Sequence, residues 1–190
     1  IRNAISVLRE LGASVEDIAV PVTGDYATVS GNVITWSEAA QVHAPWTDQL
    51  DDYTAGVRGK VLIGLTTPSA QYHKAQVMRR LVQDELSEAL KKYDVLVGPV
   101  MASPPGPIQT QPGAGGGAGS AAVRMASARS FTRPYNITGQ PAISVPCGFS
   151  PDGLPVGLQI AGALFNDATV LKVAHAFEQA TEWHNMHPAV

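Results

Sequence analysis

Charged side chains are spread very unevenly along this sequence, and that unevenness limits what the chain can fold into. Residues 1–95 carry 21 of the 29 Lys, Arg, Asp and Glu residues, and residues 96–190 carry eight. None lies between Asp94 and Arg124 or between Arg133 and Asp152. A segment so poor in charge cannot coat itself, so the second half is built to be covered. Lipid is excluded as the cover for 95–123, because five prolines and seven glycines break that stretch and a span needs about 20 apolar helical residues. The expected cover is protein.

Composition narrows the class further. Charged residues make up 15% of the chain against 45% hydrophobic, with a net charge of −3. This excludes a highly charged disordered tail and gives no electrostatic reason to expect nucleic acid as a direct partner. With 18 Gly and 14 Pro, many turns are expected. The single cysteine, Cys147, permits no internal disulfide and is compatible with a reducing cytoplasm. The chain opens Ile1-Arg2-Asn3, without Met and without a signal-peptide pattern, and reads as a piece of something longer.

Periodicity predicts the elements. Ile1, Ala4, Ile5, Leu8 and Leu11 recur at helical spacing, followed by Gly12 where a left-handed cap would sit, and Ala13 to Val20 reads as a short strand. Residues 22–32 suggest loop, and a weaker helix is expected over about 36–44 before Pro45. The best element begins at Thr67-Pro68, read as a side-chain cap with Pro at the first helical position. Tyr72, Ala75, Met78, Val82, Leu86, Ala89 and Tyr93 mark one face, and Lys91 and Lys92 are placed in the last turn. It runs into Val95-Leu96-Val97, a buried-strand signature ended by Gly98-Pro99. Residues 142–149 and 154–161 flank a turn containing Asp152-Gly153 and predict a β-hairpin with both faces buried. A last helix is expected after Asn166 or Asp167, with Val170, Val173, Ala174, Phe177 and Thr181 on one face and Phe165 stapled against Val170.

Candidate chemistry is sparse. The glycine-rich run 113–119 before Ser120 lacks the Lys a phosphate cradle needs, and no base stands near Ser120 in sequence, so it reads as a flexible silent loop. Cys147, between apolar flanks, reads as a buried inert thiol. His184 and His187, with Glu182 nearby, have a spacing a metal could use but lie in a polar tail. Arg58 and Lys60 read as surface charge at a helix end, and Trp36, Trp46, Tyr53 and Tyr72 as core or interface aromatics that a pocket could also use. The polar spot of most interest is Asn136, Thr138, Gly139 and Gln140, ahead of the first hairpin strand. It is a candidate substrate-binding rim.

The run from Phe131-Thr132-Arg133-Pro134-Tyr135-Asn136-Ile137-Thr138-Gly139-Gln140-Pro141 through Ala142-Ile143-Ser144-Val145-Pro146, continued by Gly153-Leu154-Pro155-Val156-Gly157-Leu158-Gln159-Ile160, closely resembles the C-terminal core of the amidase signature family. The likeness extends through Tyr72-His73-Lys74-Ala75-Gln76, Tyr93-Asp94-Val95-Leu96-Val97-Gly98-Pro99 and Ala180-Thr181-Glu182-Trp183-His184. The family includes bacterial amidases and the amidotransferase A subunit. The resemblance implies an α/β fold in which a mixed central sheet is flanked by helices, here an incomplete half. Residues 1–190 would form the C-terminal part of a single amidase domain, with variable segments near 22–50 and 103–128. It implies a Ser, cis-Ser and Lys mechanism on small carboxamides, with those three residues in an N-terminal half absent from this chain. No catalytic residue is therefore expected here: Ser120, Ser144 and Lys60 take no triad role. The resemblance implies no cofactor and no metal, cytoplasmic localisation, the missing half as partner and a possible homo-oligomer. The alternative is a non-catalytic α/β binding or interaction domain derived from the same fold.

Overall fold

The computed structural model describes residues 1–104 and 131–186. In chain order, α1 spans Arg2–Glu10, α2 Pro21–His43, a 3-10 segment Ala44–Asp52, α3 Ala55–Thr66, α4 Ser69–Ala89 and β1 Val95–Pro99. There follow α5 at Arg133–Thr138, β2 at Ala142–Phe149, β3 at Pro155–Gly162, α6 at Asp167–Gln179 and a 3-10 turn at Trp183–Asn185. The strands form one three-stranded sheet in the order β1-β3-β2. Both pairings are antiparallel, with Val97 opposite Ile160 and Val145 opposite Leu158.

The hairpin alternates as a strand pattern dictates. On one face Val145, Cys147, Leu158 and Ile160 join Ala4 and Leu8 of α1 and Val170, Ala174 and Phe177 of α6 in the main core. On the other face Leu96 meets Ala27 of α2, Val82 and Leu86 of α4, and Tyr135 and Ile137 of α5. Helices thus lie over both faces, the α/β class that the sequence predicts. The hairpin is not buried throughout: β3 is covered from Leu158 to Gly162, whereas Ala142, Ser144 and Pro146 of β2 are exposed. β2 is an edge strand, and its register breaks between Pro146 and Phe149.

The amino-terminal helix ends as expected. Gly12, at φ +95°, donates its N–H to Arg9 O at 2.9 Å while Ala13 donates to Leu8 O at 3.0 Å, a Schellman closure that favours glycine at this position. Ala13 to Val20 is not a strand but irregular chain, and among the described residues no strand pairs with it. The segment read as loop over 22–32 is the first half of α2, continuous with the part read as a weak helix. Its first turn has no cap of its own, because Val20 precedes it. The cap comes from α4: Glu85 accepts the N–H groups of Val22 at 3.1 Å and Thr23 at 2.7 Å, and its charge favours a helix N-terminus.

Four further expectations are corrected. Thr67 does not cap α4; its hydroxyl donates back to Ile63 O at 2.8 Å, and Pro68 stands at the cap position. α4 stops at Ala89, so Lys91 and Lys92 follow it, and Lys91 pairs with Glu88 at 2.5 Å on the surface. Phe165 staples nothing: it is 94% exposed and turned outward by a positive φ of 63°. Asn166 precedes α6, but its side chain accepts the Thr169 hydroxyl at 2.7 Å rather than a backbone N–H.

α3 lies across α2 at very close range. A Cβ on Gly64 would overlap the Trp36 carbonyl and lie 2.7 Å from Ala40 Cβ, so only glycine fits this crossing. The long-range cap on α2 yields a prediction. Glu85→Ala is expected to lower stability by about 1–2 kcal/mol, the range for losing a helix cap, read as a lower denaturant midpoint with an unchanged slope. A midpoint equal to the parent's would show that Glu85 does not hold α2.

Candidate functional site

The segment joining α5 to β2 gathers polar groups from four elements. α5 is short and closes on Gly139, whose φ of +81° and N–H bond to Tyr135 O at 2.9 Å form a left-handed cap. Thr138 and Gln140, either side of that glycine, are 2% and 5% exposed, whereas Asn136 and Gly139 face outward. The four residues proposed as a rim therefore divide. Two form a turn surface, and two anchor it from beneath.

The anchoring is specific. Gln83 of α4 donates to Thr138 O at 2.9 Å. Arg133 donates to Asn32 of α2 at 3.0 Å. Gln159 of β3 donates to Phe131 O at 3.0 Å and shares a side-chain hydrogen bond with Tyr135. Phe131 in turn donates its N–H to Val100 O at 3.3 Å, bringing both ends of the connection between β1 and α5 to one place beside β3. The Thr138 hydroxyl lies within bonding distance of Pro134 O, at 2.7 Å, and of the Gln140 amide oxygen. It has one proton, and among the described residues Gln140 Nε2 is buried without a partner. A half-turn of the Gln140 amide resolves both points: Nε2 then donates to Thr138 Oγ1, which gives its proton to Pro134 O.

The described residues of this corner form a hydrogen-bonded backbone wall and include no paired nucleophile and base. Cys147 is buried, and burial pushes its thiol above the ordinary range, as expected of an inert thiol. Ser144 is exposed on β2, packed over Gly157. His184 is exposed and His187 lies outside the described residues, as do Ser120 and the glycine run. No cluster of three metal-ligating side chains occurs among the described residues. Arg58 pairs with Asp51 at 2.6 Å, and Lys60 is exposed within α3 rather than at its end.

The aromatics separate. Tyr72 donates to Glu38 at 3.0 Å and accepts from Gln76 at 2.8 Å, and Trp36 sits at the α2–α3 crossing. Trp46 and Tyr53 meet around His43, a residue the sequence reading passes over. His43 Nδ1 lies 2.8 Å from Tyr53 Oη, and the three rings line a concavity with Gln49 and Asp52.

Tyr135 gives the corner a measurable signature. Burial holds its phenol above the ordinary tyrosine range, partly offset by the Gln159 hydrogen bond. A raised folded value means that this contribution is complete below the unfolded tyrosine range and is lost as pH rises through the folded value. Stability against denaturant is therefore expected to fall above about pH 10, and to fall less steeply in Tyr135→Phe. Equal slopes in the two proteins would place Tyr135 in a solvated setting instead.

Known proteins supply the context for this geometry. Residues 1–171 match the sequence profile described as Amidase. The chain is 35% identical to the A subunit of glutamyl-tRNA(Gln) amidotransferase from Geobacillus stearothermophilus, covering 98% of this chain and 42% of that protein. Its counterpart in Thermodesulfovibrio yellowstonii is 34% identical, with 99% and 42% covered. Among solved structures, a 6-aminohexanoate cyclic dimer hydrolase superposes with a TM-score of 0.80 at 25% identity, over 98% of this chain and 41% of that one. The glutamyl-tRNA(Gln) amidotransferase A subunit from Thermotoga maritima superposes with a TM-score of 0.61 at 31% identity, over 98% and 40%. The chain thus spans about two-fifths of the length of these relatives.

Proposed function

From the premise that this chain belongs to the amidase family, we propose that it is the C-terminal portion of an enzyme that hydrolyses the C–N bond of small carboxamides. In this reading residues 1–190 are part of one amidase domain and supply scaffold and one wall of the substrate cleft. The serine nucleophile, its cis-serine partner and the proton-moving lysine lie outside this chain, and the piece is inactive alone.

The observation that carries the reading is the corner at Gly139. Asn136 and Gly139 offer an exposed polar and backbone surface, fixed from beneath by Thr138, Gln140, Gln83 and Gln159. A carboxamide has a carbonyl acceptor and an amide donor, and the exposed Asn136 side-chain amide, which carries both an N–H donor and a C=O acceptor, complements it without ionising. The described side chains around it are amides, hydroxyls, a phenol and an arginine already bonded to Asn32, so the wall orients substrate and leaves bond breaking to groups elsewhere.

A second feature fits an incomplete unit. α3 buries only Val61, while Val57, Leu62, Ile63 and Leu65 are 41–48% exposed on it. An apolar helix in that state wants cover, and the rest of the amidase domain or a second copy would supply it. No helix among the described residues is long and apolar enough to cross a membrane, and a cytoplasmic setting suits the lone cysteine.

The test is an amide-hydrolysis assay of the purified chain with simple carboxamides. No release of ammonia above the buffer rate is expected from the chain alone. Release is expected once the remaining portion of the parent enzyme is supplied, together with loss of hydrophobic-dye fluorescence as α3 is covered. Turnover by the chain alone that disappears in Ser120→Ala would overturn the proposal.

A further inference from the structure

The concavity at the carboxyl end of α2 lies apart from the Gly139 corner. The corner touches α2 at Asn32, and His43 lies 11 residues further along the same helix, about 16 Å at 1.5 Å per residue. Here the chain leaves α2 through Ala44-Pro45 and enters the 3-10 segment, where Trp46 and Gln49 depart from helical backbone angles, with φ −116° and −110°. These kinks turn the segment back so that Tyr53 reaches His43.

The resulting space has a cavity volume of about 390 Å³ and is lined by His43, Trp46, Gln49, Asp52 and Tyr53. It is an open concavity, with Trp46 45% exposed, so a ligand seated there keeps part of its surface in water. Its aromatic wall is held in place. The imidazole makes steeply inclined ring contacts with both neighbours, 5.3 Å from Tyr53 at 86° and 6.0 Å from Trp46 at 60° between ring planes. The His43–Tyr53 hydrogen bond fixes the phenol.

The segment that forms the space is acidic. Residues 44–54 contain Asp48, Asp51 and Asp52 and no Lys or Arg, and the next cation along the chain, Arg58, is engaged by Asp51. Asp52, the acid that lines the space, has no ion pair among the described residues. The electron-rich faces of Trp and Tyr attract cations within about 6 Å, and an unpaired carboxylate at the same opening adds a Coulomb term of the same sign. An anion would meet repulsion from both. A neutral apolar ligand would gain nothing from Asp52.

We propose that this concavity is a binding site for a small organic ammonium ion, with Trp46 and Tyr53 contacting its alkyl groups and Asp52 its charge. The site acts independently of amide hydrolysis, and its existence does not require the reading of the Gly139 corner to hold.

The experiment is a titration of the whole chain with choline, followed by the indole N–H resonance of Trp46 and assigned through Trp46→Phe. In parallel, 3,3-dimethylbutan-1-ol serves as the neutral probe of matching shape. Choline is expected to shift that resonance saturably in the millimolar range, and the alcohol to bind at least tenfold more weakly. Asp52→Asn should weaken choline about tenfold and leave the alcohol unchanged, while Tyr53→Phe, which frees the ring from His43, should weaken choline severalfold. Asp52 is exposed, so this substitution leaves the fold intact, and retained amide dispersion checks it. Equal binding of the two probes, choline binding indifferent to Asp52→Asn, or no saturable shift would each overturn the proposal.

Discussion

Burial of β3 on both faces is the constraint on which the remaining architecture depends. Its Leu158 and Ile160 are 0% exposed on one side, and Ala161 and Gln159 are 0% and 5% exposed on the other. A strand between β1 and β2 has its backbone groups paired along both edges, so only its faces remain to be covered. The face of Leu158 requires α1 and α6, which meet there through Leu8 and Phe177. The other face carries a polar side chain, and burying Gln159 without partners would cost about 1–3 kcal/mol or more. Phe131 O and Tyr135 supply those partners. The polar corner at Gly139 is therefore a consequence of the sheet as well as a candidate surface. The residue that satisfies the inner strand also fixes the entrance to β2.

Elements whose signals are local were legible in the sequence, and those whose causes are distant were not. α4, β1 and α6 each carry a pattern that marks a buried segment or face, the hairpin carries one that marks its two strands but not the exposed face of β2, and the closure at Gly12 follows from glycine's tolerance of positive φ. The first half of α2, with Thr23, Gly24, Ser30 and Gly31, has a weak intrinsic preference for helix. It is helical because Glu85, more than 60 residues away, takes its free N–H groups and because α4 packs along it. No window of sequence contains that information. The stretch from Ala13 to Val20 fails in the opposite sense: its composition suits a strand, but a strand needs an edge to pair with. Thr67 had a choice between capping α4 and bonding back into α3, and the neighbouring Ile63 carbonyl prevailed.

The candidate site shows the same division. Asn136, Thr138, Gly139 and Gln140 were singled out because polar residues gather before a strand, and the structure shows which of them face outward and which lie beneath. Their supports, Gln83, Gln159 and Asn32, come from three other elements. Among them only the alternation of β3 gave a signal, since Gln159 interrupts an apolar run and a polar residue on a buried strand must find partners. His43, Trp46 and Tyr53 were visible as residue types but not as neighbours. The kinks at Trp46 and Gln49 bring them together, and kinks of this kind leave little trace in hydrophobic period.

The scarcity of charge also changes meaning once the fold is known. In β3 it reflects an interior, and that interior is already closed by elements of this chain. A cluster of uncovered apolar side chains lies elsewhere, on α3, which has Arg58 and Lys60 in its first half and no Lys, Arg, Asp or Glu after them. Val57, Leu62, Ile63 and Leu65 are each a little less than half exposed. Completing the burial of such side chains is worth about 1 kcal/mol apiece, since full burial of one gives roughly 1.5–3 kcal/mol. The four together approach the lower end of the 5–15 kcal/mol that holds a domain folded. A core that closes on its own sheet therefore coexists with a helix whose contribution is only half realised. Stability should consequently be least at the α2–α3 crossing, where glycine alone permits the approach and little apolar cover lies outside it.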